Sequence, residues 1–190
     1  MDTQLPRWEV FKQDTYSRPH QAVGSVHAAD PAHALLTARN VFARRPLAVS
    51  MWVALAEDIH AWTKEEVEGE EFRAQGHKRP APDTRTRAFC VFRKTTHKRS
   101  MTFVDYVGEL EASSPEEALE LARGRFAEVE ALAWWVVPAD KLVRSEAGEE
   151  VVESWFAPAR DKTYKQQQFY ATVGSHVSKH KAAKAADDEY

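Results

Sequence analysis

The sequence predicts an α+β fold: two β-β-α-β repeats forming one sheet about a pseudo-two-fold axis, one helix per repeat, and an irregular aromatic C-terminal tail. Three observations carry this. First, the chain repeats itself. Trp8-Glu9-Val10-Phe11 returns 81 residues later as Phe89-Cys90-Val91-Phe92. Val23-Gly24-Ser25-Val26-His27-Ala28-Ala29-Asp30-Pro31 returns after 84 residues as Val107-Gly108-Glu109-Leu110-Glu111-Ala112-Ser113-Ser114-Pro115. Ala34-Leu35, Ala38-Arg39 and Phe42 match Ala118-Leu119, Ala122-Arg123 and Phe126 at that same spacing, and Met51-Trp52-Val53 matches Trp134-Trp135-Val136 after 83 residues. Second, within each copy the order of apolar runs is strand, strand, helix, strand. Third, there are only two copies, too few for a solenoid, so the natural closure is a pseudo-dimer. Active sites rarely survive in duplicate whereas scaffolds tolerate it, which favours a non-enzymatic role.

Residues 7–12 make the first strand, short and rich in large side chains, and residues 13–21, with Asp14, Ser17 and Pro19, make a hairpin loop. Residues 22–28 make the second strand. Asp30-Pro31 starts a helix, an Asp cap followed by proline at the first helical position. Ala34, Leu35, Ala38, Val41 and Phe42 then form one apolar stripe. Arg39, Arg44 and Arg45 place positive charge toward its C-terminal half, which suits the helix dipole, and Pro46 ends it. Residues 49–55 are the third strand. In the second copy Ser114-Pro115-Glu116-Glu117 combines a cap, a first-turn proline and a capping glutamate. Its helix, expected over 115–129, turns Ala118, Leu119, Ala122, Phe126 and Val129 inward, and residues 132–137 are its third strand. A strand–helix–strand connection within one sheet implies a right-handed crossover.

The organisation read from this is a first repeat over 7–62, a charged connector over 63–87, a second repeat over 88–145, an aromatic docking tail over 146–176, and a Lys/Ala/Asp-rich, disordered end over 177–190. The tail is set apart by Trp155, Phe156, Tyr164, Phe169 and Tyr170, which show no strand or helix period. A hydrophobic content of 43% with 29% charged residues fits a soluble globular chain, and a net charge of −3 gives no pull toward nucleic acid or an anionic membrane. No apolar run approaches the roughly 20 residues that span a bilayer, and the N-terminus has no signal-peptide pattern. A single cysteine, Cys90, rules out an internal disulfide and fits a reducing cytoplasm, where it serves as a buried filler.

The chemistry on offer is sparse. Glu57-Asp58-Ile59-His60 has the Glu-x-x-His spacing of carboxylate-bridged iron sites, but it occurs once and such sites need two motifs on a four-helix bundle. It reads as a solvated chain end. Eight histidines are scattered without ligand spacing, and His27, in the second strand, reads as structural. His77-Lys78-Arg79 and His97-Lys98-Arg99 read as charged solvated turns. No G-x-G-x-x-G, P-loop or nucleophile elbow is present. No catalytic, cofactor-binding or metal-binding residue is therefore assigned. Of Trp134 and Trp135, one must face away from the helix, since strand neighbours point to opposite faces; it packs on the other repeat or supports an intermolecular contact.

The residues Val23 through Asp30, then Ala34-Leu35, Ala38-Arg39, Val41-Phe42-Ala43-Arg44-Arg45 and Val49-Ser50-Met51-Trp52-Val53, closely resemble the phenylacetic acid degradation B family, the small B component of the multicomponent phenylacetyl-CoA epoxidase, a ring oxygenase. Trp155-Phe156-Ala157-Pro158-Ala159-Arg160-Asp161-Lys162-Thr163-Tyr164 with Phe169-Tyr170 resembles the family's C-terminal segment. Typical members carry one copy of the unit and then the tail. This chain departs in carrying two, and in having Lys165-Gln166-Gln167-Gln168 where family tails show a His-Pro-containing stretch. The resemblance implies a non-catalytic subunit without a cofactor of its own, because in that complex the di-iron centre lies in a separate ferritin-like subunit fed by a flavin/iron–sulfur reductase. It implies partnership with the oxygenase subunits, in assembling or bridging the core. The expected partner surface draws on Arg39, Arg45 and Trp52 with Tyr164, Phe169 and Tyr170. The first repeat keeps the family's letters, while Arg45 has become Val129 and His27 has become Glu111 in the second. The internal pseudo-dimer is compatible with further oligomerisation. A reading from a different class is a small-molecule or acyl-CoA binding module, or an enzyme, using a cleft between the repeats. A shared cleft with convergent polar groups is the feature that separates the two.

Overall fold

The computed structural model describes residues 4–43, 48–69, 85–97 and 104–156. In chain order the elements are β1 (Arg7–Gln13), β2 (Gln21–His27), α1 (Pro31–Phe42), β3 (Ser50–Leu55), a 3-10 turn (Ala56–Asp58), β4 (His60–Thr63) and α2 (Lys64–Glu68). They continue with β5 (Arg87–Lys94), β6 (Asp105–Ala112), α3 (Pro115–Arg125), β7 (Ala133–Pro138), a 3-10 turn (Ala139–Lys141), β8 (Val143–Arg144) and α4 (Glu149–Phe156). The two long helices start where their caps require. The Asp30 carboxylate accepts the N–H of His33 at 2.8 Å, and the Ser114 hydroxyl accepts that of Glu117 at 3.2 Å. Each satisfies one donor that a first helical turn leaves unpaired.

The strands form one antiparallel eight-stranded sheet in the order β4-β7-β5-β6-β2-β1-β3-β8. The edge strands are exchanged. β4 follows β3 in sequence but pairs with β7, through His60↔Val136 to Thr63↔Ala133, and β8 follows β7 but pairs with β3. At the centre β2 and β6 meet at the single pair Gln21↔Asp105. It is flanked by Ala22 N–H to Val104 O at 3.0 Å and Tyr106 N–H to His20 O at 2.8 Å.

Alternation along the strands separates two faces. On one, α1 packs over Trp8, Val10, Val26, Met51 and Val53, and α3 packs over Phe89, Val91, Leu110, Trp134 and Val136, giving two separate cores. The other face carries a third core of Phe11, Ala22, Ala54, Cys90, Phe92, Val104, Val137 and Leu142 drawn from both halves of the chain. This face curls on itself. Phe11 and Phe92 stand on strands three places apart, about 14 Å in a flat sheet, yet their rings stack with centroids 4.2 Å apart. Trp134 points to the helix side, whereas Trp135 points into the curl and sits edge-on to Phe11 at 6.2 Å.

Two glycines permit the curl. The β1–β2 ladder steps over Val23, leaving Val10 opposite Gly24, and the β5–β6 ladder steps over Val107, leaving Val91 opposite Gly108. Both glycines have positive φ, 138° and 156°. A Cβ on Gly108 would also lie 2.9 Å from Phe126 Cζ. Gly108→Ala should therefore cost about 1–3 kcal/mol by chemical denaturation. Adding Phe126→Leu should remove the collision but not the strained φ; a neutral Gly108→Ala would mean the bulge relaxes freely.

Three sequence expectations change. The tail is not irregular from 146 onward: Glu149–Phe156 is helical, with Val152, Trp155 and Phe156 packed on the α1 core. Val151, Val152, Trp155 and Phe156 follow a helical spacing behind two first-turn acids, a pattern short enough to be hidden by its aromatics. The connector is not wholly irregular either, since Thr63 and Glu66 form a reciprocal capping box that starts α2. The described residues thus hold four helices, one within each expected repeat, one in the connector and one in the tail. Finally, the second helix stops at Arg125, so Val129 lies beyond it and is 46% exposed instead of facing the core. Arg93, only 8% exposed, lies at this helix end and donates to the carbonyls of Phe126 at 2.5 Å and Val129 at 3.3 Å.

Candidate functional site

Polar chemistry gathers at one place, on the curled face. His20 ends the β1–β2 hairpin, 6% exposed, and lies flat on Trp52 of β3 with ring centroids 3.4 Å apart. Its Nε2 shares a hydrogen bond of 2.9 Å with the Ser50 hydroxyl. Tyr106 of β6 stands edge-on to Trp52 at 5.2 Å and to His20 at 6.5 Å. The Arg144 guanidinium lies over the Trp52 ring, 5.0 Å from its centroid. It pairs with Glu109 at 3.2 Å and donates to the Cys90 sulfur at 3.5 Å. Strands β3, β5, β6 and β8 each supply a member, so both halves build the site. The exchange of β8 is what delivers Arg144, because an unexchanged strand would lie on the other edge.

Burial sets the charge states. His20 is pushed down to about 4, first by desolvation and then by the Arg144 charge, so it is neutral at physiological pH. The Cys90 thiol is pushed up to about 11, mainly by burial, and is protonated at physiological pH, the form that is a poor nucleophile. Burial likewise raises the Tyr106 hydroxyl. Arg144 and Glu109 neutralise each other at the half-exposed rim. The constellation can recognise or lock, through stacking, a cation over an indole and a satisfied ion pair. Among the described residues no group of three His, Cys, Asp or Glu side chains is placed to hold a metal ion.

The site exists once. At the positions matched by the sequence repeat, Val104 stands for His20, Ala133 for Ser50, Ala22 for Tyr106, Ser25 for Glu109 and Glu9 for Cys90. Only the tryptophan is common, as Trp52 and Trp135. The same internal comparison is a signal that could have pointed to His20 and Tyr106 in the sequence, since their matched positions hold the apolar Val104 and Ala22.

Comparison with known proteins bears on the whole chain. The description phenylacetic acid degradation B matches residues 4–79 and 85–177. The chain belongs to the phenylacetic acid degradation B family. A relative from Escherichia coli (strain K12), the B component of 1,2-phenylacetyl-CoA epoxidase, is 43% identical over 61 residues. That stretch is 32% of this chain and 64% of the relative, so this chain is twice as long as the relative and spans less than two thirds of it. No solved structure matches it.

Of the residues expected on this family member's partner surface, Arg45, Tyr164, Phe169 and Tyr170 lie outside the described residues. Arg39 and Trp52 are not brought together. Arg39, on α1, uses its Nε to hold the Trp155 carbonyl of α4 at 2.7 Å on the helix side. Trp52 is in the curl on the opposite side of the sheet. The Glu57-x-x-His60 pair is split between a 3-10 turn and β4, and its helical spacing is never realised. His27 is an exposed residue whose Nδ1 bonds the Leu5 carbonyl at 2.8 Å. Cys90 is fully buried, as its filler role requires. No helix among the described residues is long and apolar enough to cross a membrane.

Proposed function

We propose that this chain is a non-catalytic assembly subunit of a multicomponent phenylacetyl-CoA ring epoxidase, in which one fused polypeptide takes the place of two single-copy B components. The observation that carries the reading is the family match over both halves of a chain twice the length of a relative named as the epoxidase's B component. The two halves are then copies of one β-β-α-β unit about an approximate two-fold axis between β2 and β6. The bonds Ala22 N–H to Val104 O and Tyr106 N–H to His20 O support this, because each is the other's counterpart under the 84-residue spacing. So does the device at the helix ends: Lys12 donates to the Phe42 carbonyl at 3.4 Å as Arg93 donates to that of Phe126. Fusion raises the effective concentration of one copy at the other and removes the entropy of associating them.

The non-catalytic part of the reading is supported by how the reactive groups are spent. The thiol is protonated, the neutral His20 is used up on Ser50 and Trp52, and Arg144 and Glu109 pair with each other. The test is reconstitution with the oxygenase and reductase subunits. The chain is expected to co-elute with them in a fixed ratio, to be required for oxygenation of phenylacetyl-CoA, and to bring neither iron nor turnover when purified alone. Turnover by the isolated chain, or its elution apart from the other subunits, would overturn the proposal.

A further inference from the structure

The α1 side and the α3 side of the molecule are finished differently. On the α1 side, α4 packs on the core and buries Phe156, 4% exposed, in the cluster that also holds Phe42, Ala43, Ala48 and Met51, while Arg39 holds the Trp155 carbonyl. On the α3 side, α2 begins the same cover. Val67, 3% exposed, enters the core as Val152 does on the other side. But α2 ends at Glu68, after five residues, whereas α4 runs for eight. What remains beside it is a cavity of about 220 Å³ whose lining includes the charged Lys64, Glu68 and Glu130 as well as Arg123, Phe126, Ala127, Ala131 and Trp134. The last five are the positions that the sequence repeat matches to Arg39, Phe42, Ala43, Ala48 and Met51.

Arg123 makes the contrast sharp. Its counterpart Arg39 donates to a carbonyl at the C-terminal end of a helix, whereas Arg123 has no hydrogen-bond or ion-pair partner among the described residues. The rim also leaves Val129 46% exposed. A cavity of about 150 Å³ accommodates benzene, so this one has room for an aromatic ring. The C-terminal end of a helix carries partial negative charge that an unpaired arginine complements.

We propose that this groove docks a partner polypeptide: a short helix that ends in an aromatic side chain, its ring filling the space over Ala127 and Trp134 and its last-turn carbonyl accepting from Arg123. α4 is the template for that occupant within the same molecule. The mode is helix-in-groove recognition. The inference rests on the equivalence of the halves proposed above.

The probe is a synthetic peptide with the sequence of residues 147–157, acetylated and amidated, carrying a photo-reactive phenylalanine at the position of Phe156, titrated into the intact chain. Saturable binding is expected, with crosslinks to residues 123–134. Arg123→Glu and Ala127→Trp should each weaken it about tenfold or more while leaving the melting temperature unchanged, which separates lost docking from lost folding. Absence of binding, or binding indifferent to both substitutions, overturns the proposal. So do crosslinks confined to residues 39–51, which would mean that the peptide merely displaces α4. Binding that appears only in Phe72→Ala would assign the groove to the chain's own residues 70–72, and concentration-dependent dimerisation abolished by Ala127→Trp would assign it to a second copy; either overturns a partner. Failure of the titration leaves the equivalence of the halves standing, because that is judged by superposing α1 with α3 in an experimental structure.

Discussion

Phe92→Ala is expected to cost about 3–5 kcal/mol, the range for deleting a fully buried phenylalanine, and to loosen the two halves from each other. Phe92 is 0% exposed, stacks on Phe11 at 4.2 Å and meets Tyr106 edge-on at 5.5 Å. At the centre the halves meet at one residue pair with two flanking hydrogen bonds, and at the edges through the exchanged strands, β4 on β7 and β8 on β3; the ring stack inside the curl adds a buried side-chain link between them. Stability of a domain this size totals roughly 5–15 kcal/mol, and the loss is a large share of it. Denaturant unfolding followed by tryptophan fluorescence and by far-ultraviolet circular dichroism should coincide for the parent chain. For Phe92→Ala the two signals should separate as the halves lose cooperativity. Phe92→Leu, which keeps volume but not the stack, should fall between. A Phe92→Ala loss below about 1 kcal/mol would show that the curled core does not couple the halves.

Much of this architecture is legible in the sequence because it depends on local chemistry repeated twice. Asp30-Pro31 and Ser114-Pro115 announce helices that begin at those residues, since capping is a contact between neighbours in the chain. Gly24 and Gly108, matched in the sequence, each hold a positive φ at a bulge. What was hidden depends on distance. β4 has four residues and β8 two, too few for a period to emerge, and their exchange between halves is set by which sheet edge is free. His20 reads as the end of a Pro-containing loop, and only the curl brings it under Trp52. Arg144 follows an unremarkable Lys141-Leu142-Val143, yet the exchange carries it to Glu109 and Cys90. The expected partner surface paired Arg39 with Trp52 because both belong to the family-like first repeat; strand alternation and helix packing send them to opposite sides of the sheet.

The buried histidine makes a second large effect, in pH. His20 is held at about 4 against an ordinary value of 6.5, because burial and the Arg144 charge both disfavour the imidazolium. Between those two values the unfolded chain binds a proton that the folded chain refuses, so stability falls as pH drops through 6.5 and the loss levels off near 4. At about 1.4 kcal/mol per unit of pKa, the full loss is roughly 3 kcal/mol. Glu9, whose carboxyl burial holds above its ordinary 4.5, works in the opposite sense at the acid end of this window. Glu66 and Glu117, held below 4.5 by hydrogen bonds from Thr63 and Ser113, act only below it. The His20 contribution is therefore read as a difference between chains. His20→Gln retains an amide able to bond Ser50 and removes the titration, so it should be less stable than the parent at pH 7.5 through loss of the Trp52 stack. Its stability should then decline much less between pH 7 and 4.5, bringing the two curves together. Parallel curves across that interval, or a His20 imidazole that titrates near 6.5 by proton resonance, would mean that the Trp52–Arg144 cluster admits water and does not set the charge of His20.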